Sequence, residues 1–308
     1  MEIVSSRHAV SFKWVPMRGR AWLAALTAML VVLADGGRAQ ADPAGYRFGY
    51  RVDGPPFSYR GDGGPQGYSV DLCEVIRSHL IDVLGAEAVA PGFVALDAGN
   101  RLSALAEGKV DILCAATTVT LDRRRQMDFS IPVFLDGVTV AVRADASGDL
   151  AELGGPWLDY DMLRSVPPSA GLDLGVLAET TTEQFLRSVY AGTRAPKITL
   201  FESHEAAFGA LAAGEIDAYA VSLAIGRSYA RSGGADVAVS ANPLTYEPIA
   251  IGTRLGDATL RLLVDEALSE VYLEGGIGDI FRKHFGGGGN AGFSDGLFEG
   301  FFVKQALE

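Results

Sequence analysis

The residues best suited to recognition chemistry are Thr117 and Thr118, followed closely by three consecutive arginines, 123–125. They come after VDILCA, residues 110–115, an apolar run that predicts a buried strand. The free N–H groups at the end of a parallel strand face the edge where open α/β sheets bind ligands. Arginine adds a planar fork that pairs with a carboxylate through two hydrogen bonds. The pattern predicts an anion site, with a solvated charge run as the alternative.

The segments around this stretch alternate between predicted strands and helices, which is typical of an α/β fold. Strands are predicted at 46–52, 110–118, 137–143, 174–177, 197–201 and 216–221, with further strands inside 237–254. Helices are predicted at 68–84, 100–107, 203–213, 258–273 and 278–285, and a further helix starts at Thr180–Glu183. Between the first strand and the first helix, the Gly/Pro-rich segment 53–67 predicts a loop.

The first 41 residues have the features of a secretory signal peptide. Basic residues are followed by a predominantly apolar run, residues 21–34, and by Ala39-Gln40-Ala41, which fits a cleavage site. The run is shorter than the roughly 20 residues that span a bilayer, which disfavours an uncleaved anchor. We therefore expect an exported, periplasmic protein.

Removing residues 1–41 makes the chain more acidic. That segment carries five basic and two acidic residues, so the net charge changes from −12 to −15. A protein with this charge repels the phosphate backbone, which excludes nonspecific binding of nucleic acid. The remaining chain is long enough for two lobes, each with its own core.

The run TVTLDRRRQMDFSIP, residues 118–132, resembles the signature of the family 3 periplasmic solute-binding proteins, which supply polar amino acids to ABC importers. The resemblance extends from Tyr46 to about Phe285 and is nearest to the glutamate- and aspartate-binding members. It implies a two-lobed α/β fold of type II with two hinge crossovers. On this basis we expect lobe 1 at 42–141 and 249–285, lobe 2 at 142–248, and a C-terminal tail at 286–308.

The resemblance also implies which residues bind a ligand. In the family, the threonine and arginine that match Thr118 and Arg123 hold the α-carboxylate, beside the strand-end residue Ala116. The segment PPFSY resembles the N-terminal signature and makes Phe57 a candidate contact. Two further candidates are Thr180 and Thr181, which match a turn of the second lobe that donates to the ligand. Helix capping is the alternative for these two threonines.

Three further residues match positions that contact the side-chain carboxylate in glutamate- and aspartate-binding members: Arg51, Arg101 and His204. Each also has a structural alternative. Arg51 could be a surface residue at a strand end, Arg101 an ordinary residue in the first turn of a helix, and His204 a helix-end residue. The preference for a ligand with a second carboxylate depends on these positions.

Ser222 departs from the family pattern. The family normally has an aspartate at this position, which holds the α-ammonium of the ligand. Serine accepts a hydrogen bond but carries no charge, so the pair loses much of its charge-assisted contribution. Either another acid substitutes, with Glu247 as a candidate, or the ligand lacks an amino group.

The two cysteines, Cys73 and Cys114, are an even number in an exported chain, which predicts a disulfide; two buried thiols are the alternative. Two isolated cysteines are too few for zinc, and we expect no metal, cofactor or catalytic residues. We expect a monomer that binds an acidic amino acid or dicarboxylate and is recognised by ABC permease subunits. The alternatives are an enzyme of the cyclohexadienyl dehydratase type on the same fold and a sensor for a separate receptor.

Overall fold

The structure is a computed structural model that describes residues 45–165, 171–191, 195–233 and 236–286. The predicted signal peptide, 1–41, lies outside the described residues, as does the predicted tail from residue 287 onward. The strands are β1 (Tyr46–Arg51), β2 (Asp53–Gly54), β3 (Ser58–Gly61), β4 (Gly64–Gln66), β5 (Val89–Leu96), β6 (Ile112–Thr118), β7 (Met127–Asp136), β8 (Val138–Arg143), β9 (Asp173–Leu177), β10 (Lys197–Phe201), β11 (Ala218–Ser222), β12 (Val237–Val239) and β13 (Glu247–Arg254). The helices are α1 (Tyr68–Leu84), α2 (Arg101–Ala106), α3 (Leu121–Arg124), α4 (Asp149–Leu153), α5 (Tyr160–Ser165), α6 (Thr181–Val189), α7 (His204–Ala213), α8 (Leu223–Ser232), α9 (Ala258–Leu273) and α10 (Gly276–Phe285), with a 3₁₀ turn at Ala86–Ala88.

Two five-stranded sheets form the centres of two lobes, as the α/β pattern predicted. The first sheet has the order β5-β1-β6-β13-β7, and the second has the order β10-β9-β11-β8-β12. In the first sheet β1 is parallel to β5 and β6, while β13 is antiparallel to β6 and β7. In the second sheet β9 is parallel to β10 and β11. The parallel strands β1, β6, β9 and β11 therefore all end where a ligand site is expected.

The chain passes between the lobes twice, but at other residues than the sequence predicted. β7 of the first sheet ends at Asp136, and β8, which pairs with β11 of the second sheet, begins at Val138. The return follows β12, and β13 of the first sheet begins at Glu247. The prediction had assigned 138–141 to lobe 1 and 247–248 to lobe 2. A strand pattern shows that a segment is extended, but not which sheet it joins.

Helix α1 packs its apolar stripe against the first sheet. Val70, Cys73, Ile76 and Leu80 are buried on this face, as their three- and four-residue spacing predicted. Cys73 forms a disulfide with Cys114 of β6, with a Cα–Cα distance of 6.1 Å. The predicted bond is confirmed, and it joins the helix to the strand that ends at Thr118.

In the described part of the chain, no helix is both long enough and apolar enough to cross a membrane.

Candidate functional site

A cavity lies between the two lobes, where the ends of β1 and β6 face the ends of β9 and β11. It encloses about 560 Å³ of empty space, including its open mouth. Nine of the ten predicted ligand-binding residues line it, so the structure brings together positions that are spread over 172 residues of sequence. These are Arg51, Arg101, Ala116, Thr118, Arg123, Thr180, Thr181, His204 and Ser222.

Phe57 is the exception. Its side chain is 0% exposed and packs against Tyr68, Phe134 and Phe285 in the aromatic core of the first lobe. It does not line the cavity because the loop after β2 turns this ring toward α1 and α10. The PPFSY segment therefore contributes to the core and, through Ser58, supports β1: the Ser58 hydroxyl accepts from the Arg51 N–H and donates to the Arg51 carbonyl.

Arg51 is buried at the end of β1 and already has an acidic partner. Its Nε lies 2.6 Å from Oδ1 of Asp53, and its Nη2 lies 3.3 Å from Oδ2. Burial alone would raise the pKa of Asp53, but the hydrogen bonds and charge of Arg51 lower it. The Arg51 guanidinium is thus held in place at the cavity wall with its charge largely balanced.

Arg101, at the start of α2, is a buried cation that has no acidic partner comparable to Asp53 in the described part of the chain. Arg101 is only 2% exposed, and its Nη1 donates to the Ala98 carbonyl. Its Nε has no hydrogen-bond partner among the described residues. No carboxylate oxygen of the described residues lies within 4.0 Å of the Arg101 guanidinium, so Arg101 forms no ion pair with them. Burial, together with the positive charges of Arg51 and Arg123, lowers the pKa of Arg101 to about 9. The negative charges of Asp53 and Glu179 act in the opposite direction. At neutral pH the cavity therefore holds an ionised guanidinium that has no carboxylate in direct contact among the described residues.

His204 faces the same part of the cavity as a neutral group. Burial is the main cause that lowers the pKa of His204 to about 3, with Arg51 adding to the effect. Nδ1 lies 2.8 Å from the hydroxyl of Tyr219, and Nε2 is buried with no hydrogen-bond partner in the part of the chain that the structure describes. Burial also raises the pKa of Tyr219, so this phenol keeps its proton and can donate a hydrogen bond to Nδ1. In that arrangement the imidazole proton is on Nε2, which can donate to an acceptor.

The residues predicted to hold a first carboxylate surround the side chain of Glu247. The hydroxyls of Thr118 and Thr181 each lie 2.8 Å from Oε2 of Glu247, and the hydroxyl of Thr245 lies 3.0 Å from Oε1. Arg123 is buried beside them and donates through Nη1 to the Thr118 carbonyl at 2.8 Å. Burial lowers the pKa of Arg123, while the charge of Glu247 acts in the opposite direction. The buried position of Arg123 rules out the solvated charge run as the explanation for this arginine.

The turn before α6 combines capping with a position at the cavity. The Thr180 hydroxyl accepts from the N–H of Glu183 at 3.2 Å and donates to the Leu177 carbonyl at 2.7 Å. Thr180 is thus the N-cap that the alternative interpretation expected, although it also lines the cavity. Glu179 has a φ of 59°, a left-handed conformation that glycine adopts without strain.

Ser222 forms a hydrogen bond with Asp136, an acidic residue for which the sequence predicted no role. Its hydroxyl donates to Oδ2 of Asp136, at the end of β7, while Oδ1 accepts from the N–H groups of Gly137 and Ala224 at 2.9 and 3.3 Å. Burial raises the pKa of Asp136 to about 6, despite these hydrogen bonds. The Asp-Gly pair at 136–137, where the predicted strand at 137–143 begins, was the one signal in the sequence that could have suggested a role for this residue.

The raised pKa of Asp136 predicts a pH dependence of stability. A carboxyl whose pKa rises from 3.8 to about 6 on folding stabilises the protein below pH 3.8, and this contribution is lost as the pH rises through 6. Relative to Asp136→Asn, the wild type should gain about 2 kcal/mol in free energy of unfolding between pH 7 and pH 4. Urea denaturation at both pH values measures this difference. The same change at exposed Asp62 is the control, and a pH-independent difference for Asp136→Asn would contradict the prediction.

Among the described residues, no group of three or more His, Cys, Asp or Glu side chains is placed to hold a metal ion. The polar side chains that line the cavity are arginines, hydroxyls, one neutral imidazole and two carboxylates. Such a set can bind anionic groups at two places.

A family sequence model described as bacterial extracellular solute-binding proteins, family 3, matches residues 46–287. The L-glutamate/L-aspartate-binding protein of Pseudomonas aeruginosa is 27% identical over 71% of this chain and 68% of its own length. The ABC transporter glutamine-binding protein of Bacillus subtilis is 26% identical over 71% of this chain and 72% of its own length. An ancestral arginine-binding protein bound to arginine superposes with a TM-score of 0.66 and 26% identity, covering 79% of this chain and 99% of its own. These similar proteins are all named for the amino acids that they bind.

Proposed function

Since the chain belongs to the bacterial extracellular solute-binding proteins, family 3, we propose that it binds an acidic amino acid or a related dicarboxylate for an ABC importer. We further propose that it is exported through the signal peptide at residues 1–41, acts as a monomer and is recognised by the permease subunits of the importer. It has no catalytic role in this proposal. The named relatives bind several different amino acids, so the ligand has to be argued from the cavity itself.

The guanidinium of Arg101, buried and without an ion pair among the described residues, is the observation that most strongly supports a ligand with a second carboxylate. A buried guanidinium without an anion is costly, because the loss of hydration is not offset by an opposite charge. Nε of Arg101 and Nε2 of His204 are both buried donors, and neither has a partner within the described ranges of the chain. A ligand carboxylate placed between them would accept from both and would balance the charge of Arg101.

A second ligand carboxylate fits the other end of the cavity, where Thr118, Thr181 and Arg123 supply donors. Thr118 belongs to the first lobe and Thr181 to the second, so a carboxylate at this point would contact both. Binding would then proceed by closure, because contacts from the second lobe favour the closed state of a hinged protein.

Isothermal titration calorimetry with glutamate, aspartate, succinate, glutamine and arginine tests the proposal. We expect heat of binding with one or more of the three diacids, and weaker binding or none with glutamine and arginine. Comparing succinate with the amino acids shows whether the ligand needs an ammonium, which the serine at position 222 leaves open. Tight binding of arginine together with no binding of the diacids would overturn the proposal.

Replacing Arg123 with lysine keeps the charge but removes the planar fork, and should weaken binding of the diacid about 30-fold. A single ammonium cannot both donate to the Thr118 carbonyl and pair in parallel with a carboxylate. Calorimetry on Arg123→Lys measures the effect. The matched control is Arg125→Lys, since the Arg125 side chain is 74% exposed and pairs with Asp122. Equal affinities of the two variants would contradict a contact between Arg123 and the ligand.

A further inference from the structure

Glu247 connects the two lobes through one carboxylate oxygen. Its Oε2 accepts from Thr118, at the end of β6 in the first lobe, and from Thr181, at the start of α6 in the second lobe, each at 2.8 Å. Its Oε1 accepts from Thr245 on the segment that leads into β13. The residue itself begins β13, at the point where the chain returns to the first lobe.

The groups that Glu247 contacts are the groups that a ligand carboxylate would need at this end of the cavity. A carboxylate is an acceptor only, so it cannot share a site with a second ionised carboxylate that seeks the same hydroxyl protons. Each of the two threonine hydroxyls has a single proton to donate, and each donates a hydrogen bond to Oε2 of Glu247. Arg123 lies close enough for its pKa to respond to the charge of Glu247.

We propose that Glu247 is an internal carboxylate that occupies the Thr118–Thr181 donor pair, and that a ligand carboxylate must displace it. Glu247 is then a specificity-determining residue, because only a ligand that contacts Arg123 and the Arg101 end together compensates for this displacement. It also holds the two lobes together when the ligand is not bound. The competition with a ligand depends on the proposed function, whereas the contact between the lobes does not.

A purely structural role would place the Glu247 hydrogen bonds within one lobe, where they would hold a turn or a strand end. Thr245 fits such a role, since it is two residues away and lies on the same segment. Thr118 and Thr181 do not, because they are 129 and 66 residues away and belong to different lobes. Charge-assisted hydrogen bonds are roughly twice as strong as neutral ones, so the negative charge of Glu247 makes this contact stronger than a glutamine would.

The test compares Glu247→Gln with the wild type by calorimetry with glutamate. Glutamine keeps the shape of the side chain but removes its charge, which weakens the contact to both hydroxyls and removes repulsion toward the ligand. We expect binding to become about tenfold tighter. The control is Glu202→Gln, which lies outside the cavity that Glu247 lines, and an equal loss of charge there should change the affinity less than about twofold.

Small-angle X-ray scattering on the ligand-free proteins gives a second readout that needs no ligand. Glu247→Gln should have a larger radius of gyration than the wild type and Glu202→Gln, because the lobes lose a shared contact. Weaker or unchanged binding of glutamate by Glu247→Gln would overturn the competition, and weaker binding of glutamate with unchanged binding of succinate would make Glu247 the partner of an ammonium. If the wild type binds no diacid, the proposed function fails and the radius of gyration alone decides: an unchanged value overturns the inference.

Discussion

Replacing Arg101 with methionine is expected to weaken diacid binding about 1000-fold and to stabilise the ligand-free protein at the same time. Removing one partner of a buried charge pair costs about 4 kcal/mol of binding free energy, which corresponds to that factor. Without ligand, however, Arg101 is a buried cation with no carboxylate within ion-pair distance among the described residues. Methionine retains an unbranched apolar chain and has no charge, so the free energy of unfolding should rise by about 2 kcal/mol.

These opposite effects separate a binding residue from a structural one. Calorimetry with the diacid measures the affinity, and urea denaturation of the ligand-free protein measures the stability. Arg125→Met removes the same charge at an exposed position and should leave both quantities nearly unchanged. A variant Arg101→Met that is less stable than the wild type, or that binds the diacid as tightly, would show that Arg101 supports α2 and does not serve a ligand.

Removing the disulfide should lower the free energy of unfolding by about 4 kcal/mol while leaving the affinity for the ligand unchanged. The bond joins residues 41 apart, and in the chain-entropy model closing a loop of this length restricts the unfolded chain by that amount. Both cysteines are fully buried, so alanine is a better replacement than serine, which would bury a hydroxyl. Neither cysteine lines the cavity.

Urea denaturation of Cys73→Ala/Cys114→Ala against the oxidised wild type measures this loss. The reduced wild type is the matched control, because it retains both sulfur atoms in the core and lacks only the crosslink. Both proteins should lose comparable stability. A loss below about 1 kcal/mol in the reduced wild type would show that the crosslink contributes little, and a loss of affinity in either protein would show that it also positions β6.

The sequence predicted those parts of the fold that depend on local pattern. Helix α1 covers Tyr68–Leu84 and helix α9 covers Ala258–Leu273, the same bounds that the apolar spacing indicated. Strand β8 was recognised as a strand but assigned to the wrong lobe. Apolar periodicity reports which face of a segment is buried, whereas the choice of sheet depends on partners distant in sequence.

The same limit explains what was missed in the cavity. Asp136 lies 86 residues before Ser222, and its raised pKa results from burial between two lobes that no local pattern reveals. Glu247 was considered only as a partner for an ammonium, yet it accepts from two threonines expected to face a ligand. Phe57 was assigned to the ligand because a motif was matched without knowing the direction of its side chain. Arg101 and His204 were predicted to contact the ligand through resemblance alone, and only the structure shows that each has a buried nitrogen without a partner among the described residues.

The ratio of the affinities for glutamate and glutamine is the most direct test of the claim that Arg101 binds a second carboxylate of the ligand. The two ligands have nearly the same shape and differ in the charge of the distal group, so the ratio isolates that charge. Calorimetry on the wild type at pH 7 should show glutamate binding at least about 100-fold more tightly, since Arg101 would be left unbalanced by the amide. Equal affinities, or tighter binding of glutamine, would contradict the account.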